Sequence, residues 1–593
     1  MAEQNQQTPV SFGQSREIRQ PFPDINNFSI YIPMKDGIRL AADIFLPKEL
    51  NKKKLPTLLN RTRYWRAAAV KDAPKEPKVD IKTFIQAGYA IVMLDVRGTG
   101  ASFGTLLHEW QPQDIEDAYE VVDWIISQSW SDGRIGAYGI SYPGTTAELL
   151  AATNHPAIKA IWATYHEFDG YTDIALPGGI PSKFINTWGM YTNSLDHNQL
   201  VSEDPNILGV KPVDEDIDGS LLQAAVTEHE KNNSADTILK NVVFKDDLMN
   251  AANVSTESML VFAHRDQIES SGIPLDIWGS WMDANTPDSV IRRFMTFSNP
   301  QRGVINCWSH GGTSFCDPFF PPGSPHDINM EGQFAEILRF FDKNLHGEDL
   351  NIPDKILYYY TLGEGKWKST PTWPPENSKI QRWYLNSAQR LTPDKPSRES
   401  GEEHYKVNFD TTTGKQNRWW TELGGGPIIY ADRAEADQLL LTYDSSPMEH
   451  DMEITGYPIV SLQVTSTESD GAFFVYLEDI AEDGTVTYLT EGLLRAIHRK
   501  VSQSEPPYSV FGPYHSYKRD DYLPLVPGEV ANLSFALIPI SALVRKDHRI
   551  RVAIACADQD TFHRIPSEGE PEISIHLNKH YASWIDLPII KRD

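Results

Sequence analysis

Two different rhythms of apolar and polar positions run along the chain, and the change between them marks its organisation. Residues 28–32 and 38–45 alternate around Lys35-Asp36-Gly37, which predicts an antiparallel hairpin after an irregular arm at 1–24. Residues 55–59, 89–94, 134–138 and 158–163 are continuous apolar runs of buried-strand length. Between 114 and 128, Ile115, Ala118, Val122, Ile125 and Ile126 keep helical spacing, so strands and helices take turns. This predicts a mostly parallel sheet covered on both faces. From 165 to 269 mainly helical patterns take over, read as an inserted cap. Strands resume at 274–279 and 303–308, and a helix at 334–345 closes the domain and stops at Gly347. Pro371, Pro374 and Pro375 mark a linker. Beyond it, short β-type runs at 459–464, 473–477, 485–489, 533–538 and 549–555 are separated by turns such as Glu482-Asp483-Gly484, the pattern of a jelly roll or sandwich. The predicted class is α/β. Residues 25–164 and 270–368 form the α/β domain, 165–269 the helical cap and 376–593 a C-terminal β jelly roll.

Composition narrows the function classes. With 593 residues the chain is too long for one domain, and 40% hydrophobic residues supply cores for several. The net charge of −27 opposes nucleic acid or an anionic membrane as main partner. There is no apolar run of about twenty residues, so no transmembrane helix is expected. The three cysteines Cys307, Cys316 and Cys556 fit a reducing compartment rather than a disulfide framework. Residues 1–19 are polar without a signal peptide's apolar segment, so the expected location is cytoplasmic. The acidic surface neither demands nor forbids a homodimer.

Candidate chemistry centres on Gly139-Ile140-Ser141-Tyr142-Pro143-Gly144, between the strand at 134–138 and a helical pattern from about Thr145. A serine on a sharp strand-to-helix turn is the nucleophile elbow of α/β-hydrolases, although here the second glycine follows the serine by three residues rather than two. A serine needs a histidine to take its proton and an acid to orient that histidine. In α/β-hydrolases the partners follow in the order acid, then histidine, after late strands. Trp281-Met282-Asp283 follows the strand at 274–279, and Ser309-His310-Gly311-Gly312 follows that at 303–308. Asp283 and His310 therefore share the sheet edge of Ser141. Asp266, Asp276 and Asp288 are the competing acids. No metal or cofactor is expected. Asp214-Glu215-Asp216-Ile217-Asp218-Gly219 imitates a calcium loop, but Ala225 stands where its bidentate glutamate is required. The Gly98-Thr99-Gly100 stretch lacks a dinucleotide-binding context.

Four stretches carry a family resemblance: Arg61-Thr62-Arg63-Tyr64; 95–104, with Asp95-Val96-Arg97-Gly98-Thr99-Gly100; 132–144; and Trp281-Met282-Asp283 with Trp308-Ser309-His310. With Ile454-Thr455-Gly456 and Arg549-Ile550-Arg551 in the β half, the chain past residue 25 resembles the CocE/NonD hydrolases. These include cocaine esterase, X-Pro dipeptidyl-peptidases and α-amino-acid ester hydrolases. Gly-x-Ser-Tyr-x-Gly is that family's usual elbow. The resemblance implies an oxyanion hole made by the Tyr142 N–H and the Tyr64 hydroxyl, although Arg63 stands where the family usually has proline. It also implies a serine hydrolase working through Ser141, Asp283 and His310 by an acyl-enzyme.

Substrate is less legible. The acids that bind a substrate ammonium in the α-amino-acid ester hydrolases are missing after Asp283, where Ala284, Asn285 and Thr286 follow. Glu167, Asp169 and Asp173, at the entry to the cap, are read as a solvated acidic face in preference to part of a cationic subsite. Trp65, Trp188 and Asn285 are candidate pocket residues, with core packing the competing role of the tryptophans. The expected partner is a small-molecule ester or amide with an uncharged or aromatic acyl group. The alternatives are an X-Pro dipeptidyl-peptidase, an acyltransferase, or a non-catalytic protein that binds carbohydrate or a partner.

Overall fold

The computed structural model describes residues 12–13, 24–50, 52–71, 78–199, 204–249, 253–348, 350 and 352–592. The predicted arm at 1–24 lies almost wholly outside them. Twelve strands come first: β1 Ile25–Pro33, β2 Arg39–Pro47, β3 Leu55–Thr62, β4 Ala68–Val70, β5 Ala90–Asp95, β6 Ser131–Ile140, β7 Ile158–Thr164, β8 Ile207–Val210, β9 Leu275–Ser280, β10 Gln301–Asn306, β11 Lys355–Thr361 and β12 Lys366–Thr370. Ten of them form one sheet in the order β1-β2-β5-β3-β6-β7-β9-β10-β11-β12. The seven from β5 to β11 run parallel, while β2 and β12 pair antiparallel at the two ends. β3, β9 and β10 are buried at every position, which is why their sequences read as continuous rather than alternating apolar runs.

Three features differ from the sequence reading. The helix expected at 334–345 starts a turn early at Met330, because the Asn329 side chain accepts from Gly332 N at 3.0 Å, and it runs through a π-helical turn, Asp342–His346, to stop at Gly347 as expected. The sheet also does not close there, since β11 and β12 extend it. Between β7 and β9 the longest helix is Lys183–Asp196, capped by Ser182. That region is not wholly helical, because β8 pairs with β4 in a separate two-stranded sheet.

From Ser378 onward the chain forms a second, thirteen-stranded sheet, antiparallel except where Arg390 meets Asp444. One hydrophobic cluster runs from the parallel strands into this β-rich part, so the two halves share a core. Among the described residues no helix is long and apolar enough to cross a membrane.

Candidate active site

β6 ends at Ile140, and Ser141 then takes φ 63°, ψ −131° before the helix Tyr142–Leu149 begins. A side chain at that φ is strained, and the turn fits only because its neighbours are small. A Cβ on Gly139 would stand 2.1 Å from the Pro143 carbonyl oxygen, and one on Gly144 3.0 Å from the Thr164 oxygen. The late glycine is thus the position that packs on β7. Ser141 N donates to Thr164 O at 2.9 Å and pins the turn to that strand. Tyr142 opens the helix, so its N–H is one of the donors that a helix leaves unpaired.

Asp283 follows β9 and His310 follows β10, on the same C-terminal sheet edge as Ser141. His310 Nδ1 lies 3.1 and 3.0 Å from the two oxygens of the fully buried Asp283. Facing a carboxylate, Nδ1 holds the proton and leaves a lone pair on Nε2. That Nε2 is buried with no hydrogen-bond partner among the described residues. Burial pushes the imidazole pKa down, but the charge and hydrogen bond of Asp283, with Glu167 adding, leave it above the ordinary histidine value. Two competing acids are engaged elsewhere. Asp276 is held by Arg302 at 3.0 and 2.6 Å, and Asp288 by Arg292 and the Tyr457 hydroxyl.

Ser141, Tyr142, Tyr64 and Trp188 line one cavity, whose far wall is apolar: Ile174, Phe184, Ile185, Ile238, Leu239 and Leu260. The Tyr64 hydroxyl accepts a hydrogen bond from Trp188 Nε1 at 2.8 Å, so its own proton is free to be donated. Arg63 is held by Glu109 and Asp196, and these ion pairs do the work of fixing the Tyr64 loop where proline would stiffen it. Trp65 and Asn285 are not on this cavity. Trp65 donates to Leu195 O at 3.1 Å and packs against a small cluster with Ala41, Ala101 and Val210. Asn285 lines a different cavity beside Arg292 and Tyr457.

The acidic face also needs correction. Asp169 is buried against Lys245 and the Tyr508 hydroxyl, and Asp173 is buried accepting from Ser289 at 2.6 Å and Arg292 at 2.9 Å. They are buried counter-ions rather than a solvated surface. Glu167 does reach the cavity, with Thr145 Oγ1 at 3.3 Å. The residue that sequence reasoning missed is Glu422. It comes from the β-rich half, lines the same cavity, and puts a carboxylate oxygen within 4.8 Å of ligand atoms of both Asp283 and His310. Burial, then the charges of Asp283, Glu167 and Asp173, push Glu422 well above the usual carboxylate range, and burial first raises Glu167 as well. Both carboxyls are therefore biased toward their neutral forms. The only mark of Glu422 in the sequence is an acid between Trp419-Trp420 and three glycines.

Known proteins share this arrangement of halves. Residues 36–312 match the family model of X-Pro dipeptidyl-peptidase (S15 family), and 353–583 match that of the X-Pro dipeptidyl-peptidase C-terminal non-catalytic domain. A protein of Mycobacterium bovis named as a serine esterase is 39% identical, over 95% of each chain. Cocaine esterase of Rhodococcus sp. is 24% identical, over 95% of this chain and 98% of its own. A CocE/NonD family hydrolase from Staphylococcus aureus superposes with TM-score 0.71 at 18% identity, over 97% of this chain and 98% of that one.

Proposed function

The chain belongs to the X-Pro dipeptidyl-peptidase (S15) family of serine hydrolases, and from that premise we propose that it cleaves a carboxylic ester or amide through an acyl-enzyme on Ser141. The observation that carries this reading is the unpartnered, buried Nε2 of a histidine whose other nitrogen is fixed by Asp283, on the sheet edge that also presents Ser141 at positive φ. Ser141 attacks the carbonyl while His310 takes its proton and later passes it to the leaving group. Asp283 keeps the tautomer and stabilises the imidazolium. The oxyanion lies between the Tyr142 N–H and the Tyr64 hydroxyl. Tyr64→Phe is expected to lower kcat about 10²–10³-fold with little change in KM, read on an aryl ester. Retained kcat would remove Tyr64 from the oxyanion hole.

Substrate class follows from the cavity wall. Apolar side chains and two carboxyls biased toward neutrality favour an uncharged aromatic or branched acyl group over an α-ammonium group. An X-Pro dipeptidyl-peptidase would have to bind a peptide amino terminus, and Glu167 with Glu422 are the groups that could do so. Comparing a benzoyl aryl ester with an Ala-Pro anilide decides between them. The ester is expected to have the higher kcat/KM by at least about 10². A preference for the anilide would reverse the assignment. In the same reading the helical region at 165–269 roofs the cavity as a cap, and 376–593 is the jelly-roll domain.

A further inference from the structure

Residues 417–425 of the β-rich half touch both loops of the acid–base pair. The residue after Asp283 is Ala284, whose φ of 32° is strained for any side chain. Two reciprocal hydrogen bonds hold it there. Ala284 N donates to Arg418 O at 2.9 Å, and Arg418 Nε donates back to Ala284 O at 2.7 Å. Arg418 is fully buried. Its Nη1 reaches the Tyr488 hydroxyl at 3.3 Å, and its Nη2 has no partner among the described residues. No carboxylate there lies within ion-pair distance of it. A buried cation without such a partner costs free energy that well-packed hydrophobic atoms would not.

The other end of the segment meets the histidine loop. Gly425 has φ 64°, and a Cβ on it would stand 2.7 Å from the His310 carbonyl oxygen. Its own carbonyl accepts from Thr313 Oγ1 at 3.0 Å. Asn417 anchors the start of the segment in the β-rich half through Thr413, Gly414 and Thr561.

We propose that residues 417–425 are a positioning element for the acid–base pair, with Arg418 setting the Asp283 loop and Gly425 seating the His310 loop. This rests on the reading of Asp283 and His310 as acid and base. It gives a share in the reaction to the half whose family model is described as non-catalytic. Arg418 touches no reacting atom and acts through Asp283. Without the clamp, Ala284 relaxes from its strained φ and the carboxylate drifts from Nδ1. His310 is also faced by Glu167, Glu422 and the ring of Tyr165, none of which hydrogen-bonds it. Losing Asp283 therefore lowers its pKa.

The test uses the full-length enzyme with an aryl ester, a fluorophosphonate to count active sites, and thermal unfolding. Arg418→Met is expected to keep Tm within a few degrees while kcat per labelled site falls about 10²-fold, the scale of a small misplacement. KM should move little. Because activity needs neutral His310, the acid limb of kcat/KM should shift to lower pH. Arg418→Lys should restore part of kcat and return the limb toward wild type. Gly425→Ala, acting on the other loop, should also lower kcat per site, and it carries the test if Arg418→Met fails to fold. Wild-type kcat per site and an unmoved acid limb in these variants would overturn the positioning role while leaving the hydrolase reading intact. A wild-type enzyme that is not labelled on Ser141 would overturn both.

Discussion

Ser141→Ala is expected to lower kcat toward a small residual rate, a loss of about 10⁶ where serine and histidine act as a unit. The loss is so large because the other groups have nothing left to assist. His310 would have no hydroxyl to deprotonate, and the Tyr64 and Tyr142 donors would stabilise an oxyanion only in a rare attack by water. The variant should fold, because Ala tolerates the φ of 63° no worse than Ser does. Substrate should still bind, since the apolar wall is untouched, so KM or inhibitor affinity should stay within a few-fold. Hydrolysis of an aryl ester under single-turnover conditions measures this. A residual rate within about tenfold of wild type would place the nucleophile elsewhere.

Asp283→Asn should cost about 10⁴ in kcat. The amide can donate to Nδ1, which turns the imidazole over to the tautomer with its proton on Nε2. That nitrogen then cannot accept the serine proton. The same substitution removes the charge that holds the His310 pKa above its ordinary value, and burial alone lowers it. In wild type the acid limb of kcat/KM should therefore lie above the ordinary histidine value, and in the variant it should move down. The direction follows from neutral His310 being the active form. A full pH profile of both enzymes checks it. Loss of activity with an unmoved limb would separate the acid from the base.

Much of this site was legible because it obeys sheet geometry. Parallel strands buried on both faces read as uninterrupted apolar runs, so their C-terminal ends, and the residues just past them, could be located. Ser141, Asp283 and His310 all stand there. The late Gly144 was legible only as a departure from the usual elbow, and its packing against Thr164 supplies the cause. β11 was overlooked despite its apolar run, because the preceding helix looked like an ending. Pocket residues were harder. Trp65 and Trp188 are the same residue type, and only the fold separates them: Trp188 lines the cavity and donates to Tyr64, while Trp65 packs in a separate small cluster. Asp169 and Asp173 looked solvated because their counter-ions, Lys245 and Arg292, are distant in sequence. Arg418 carried no signal, and Glu422 only that of an acid between two tryptophans and three glycines. They sit in an irregular segment of the β-rich half, and contact across halves has no periodicity to betray it.

The central claim is that Ser141 is the nucleophile, activated by His310. Incubating the enzyme with a fluorophosphonate and mapping the adduct by peptide mass spectrometry tests it most directly. The account predicts one adduct, on Ser141, formed with the acid limb of His310 and absent from Ser141→Ala. An adduct on another residue, or undiminished labelling of Ser141→Ala, would contradict it.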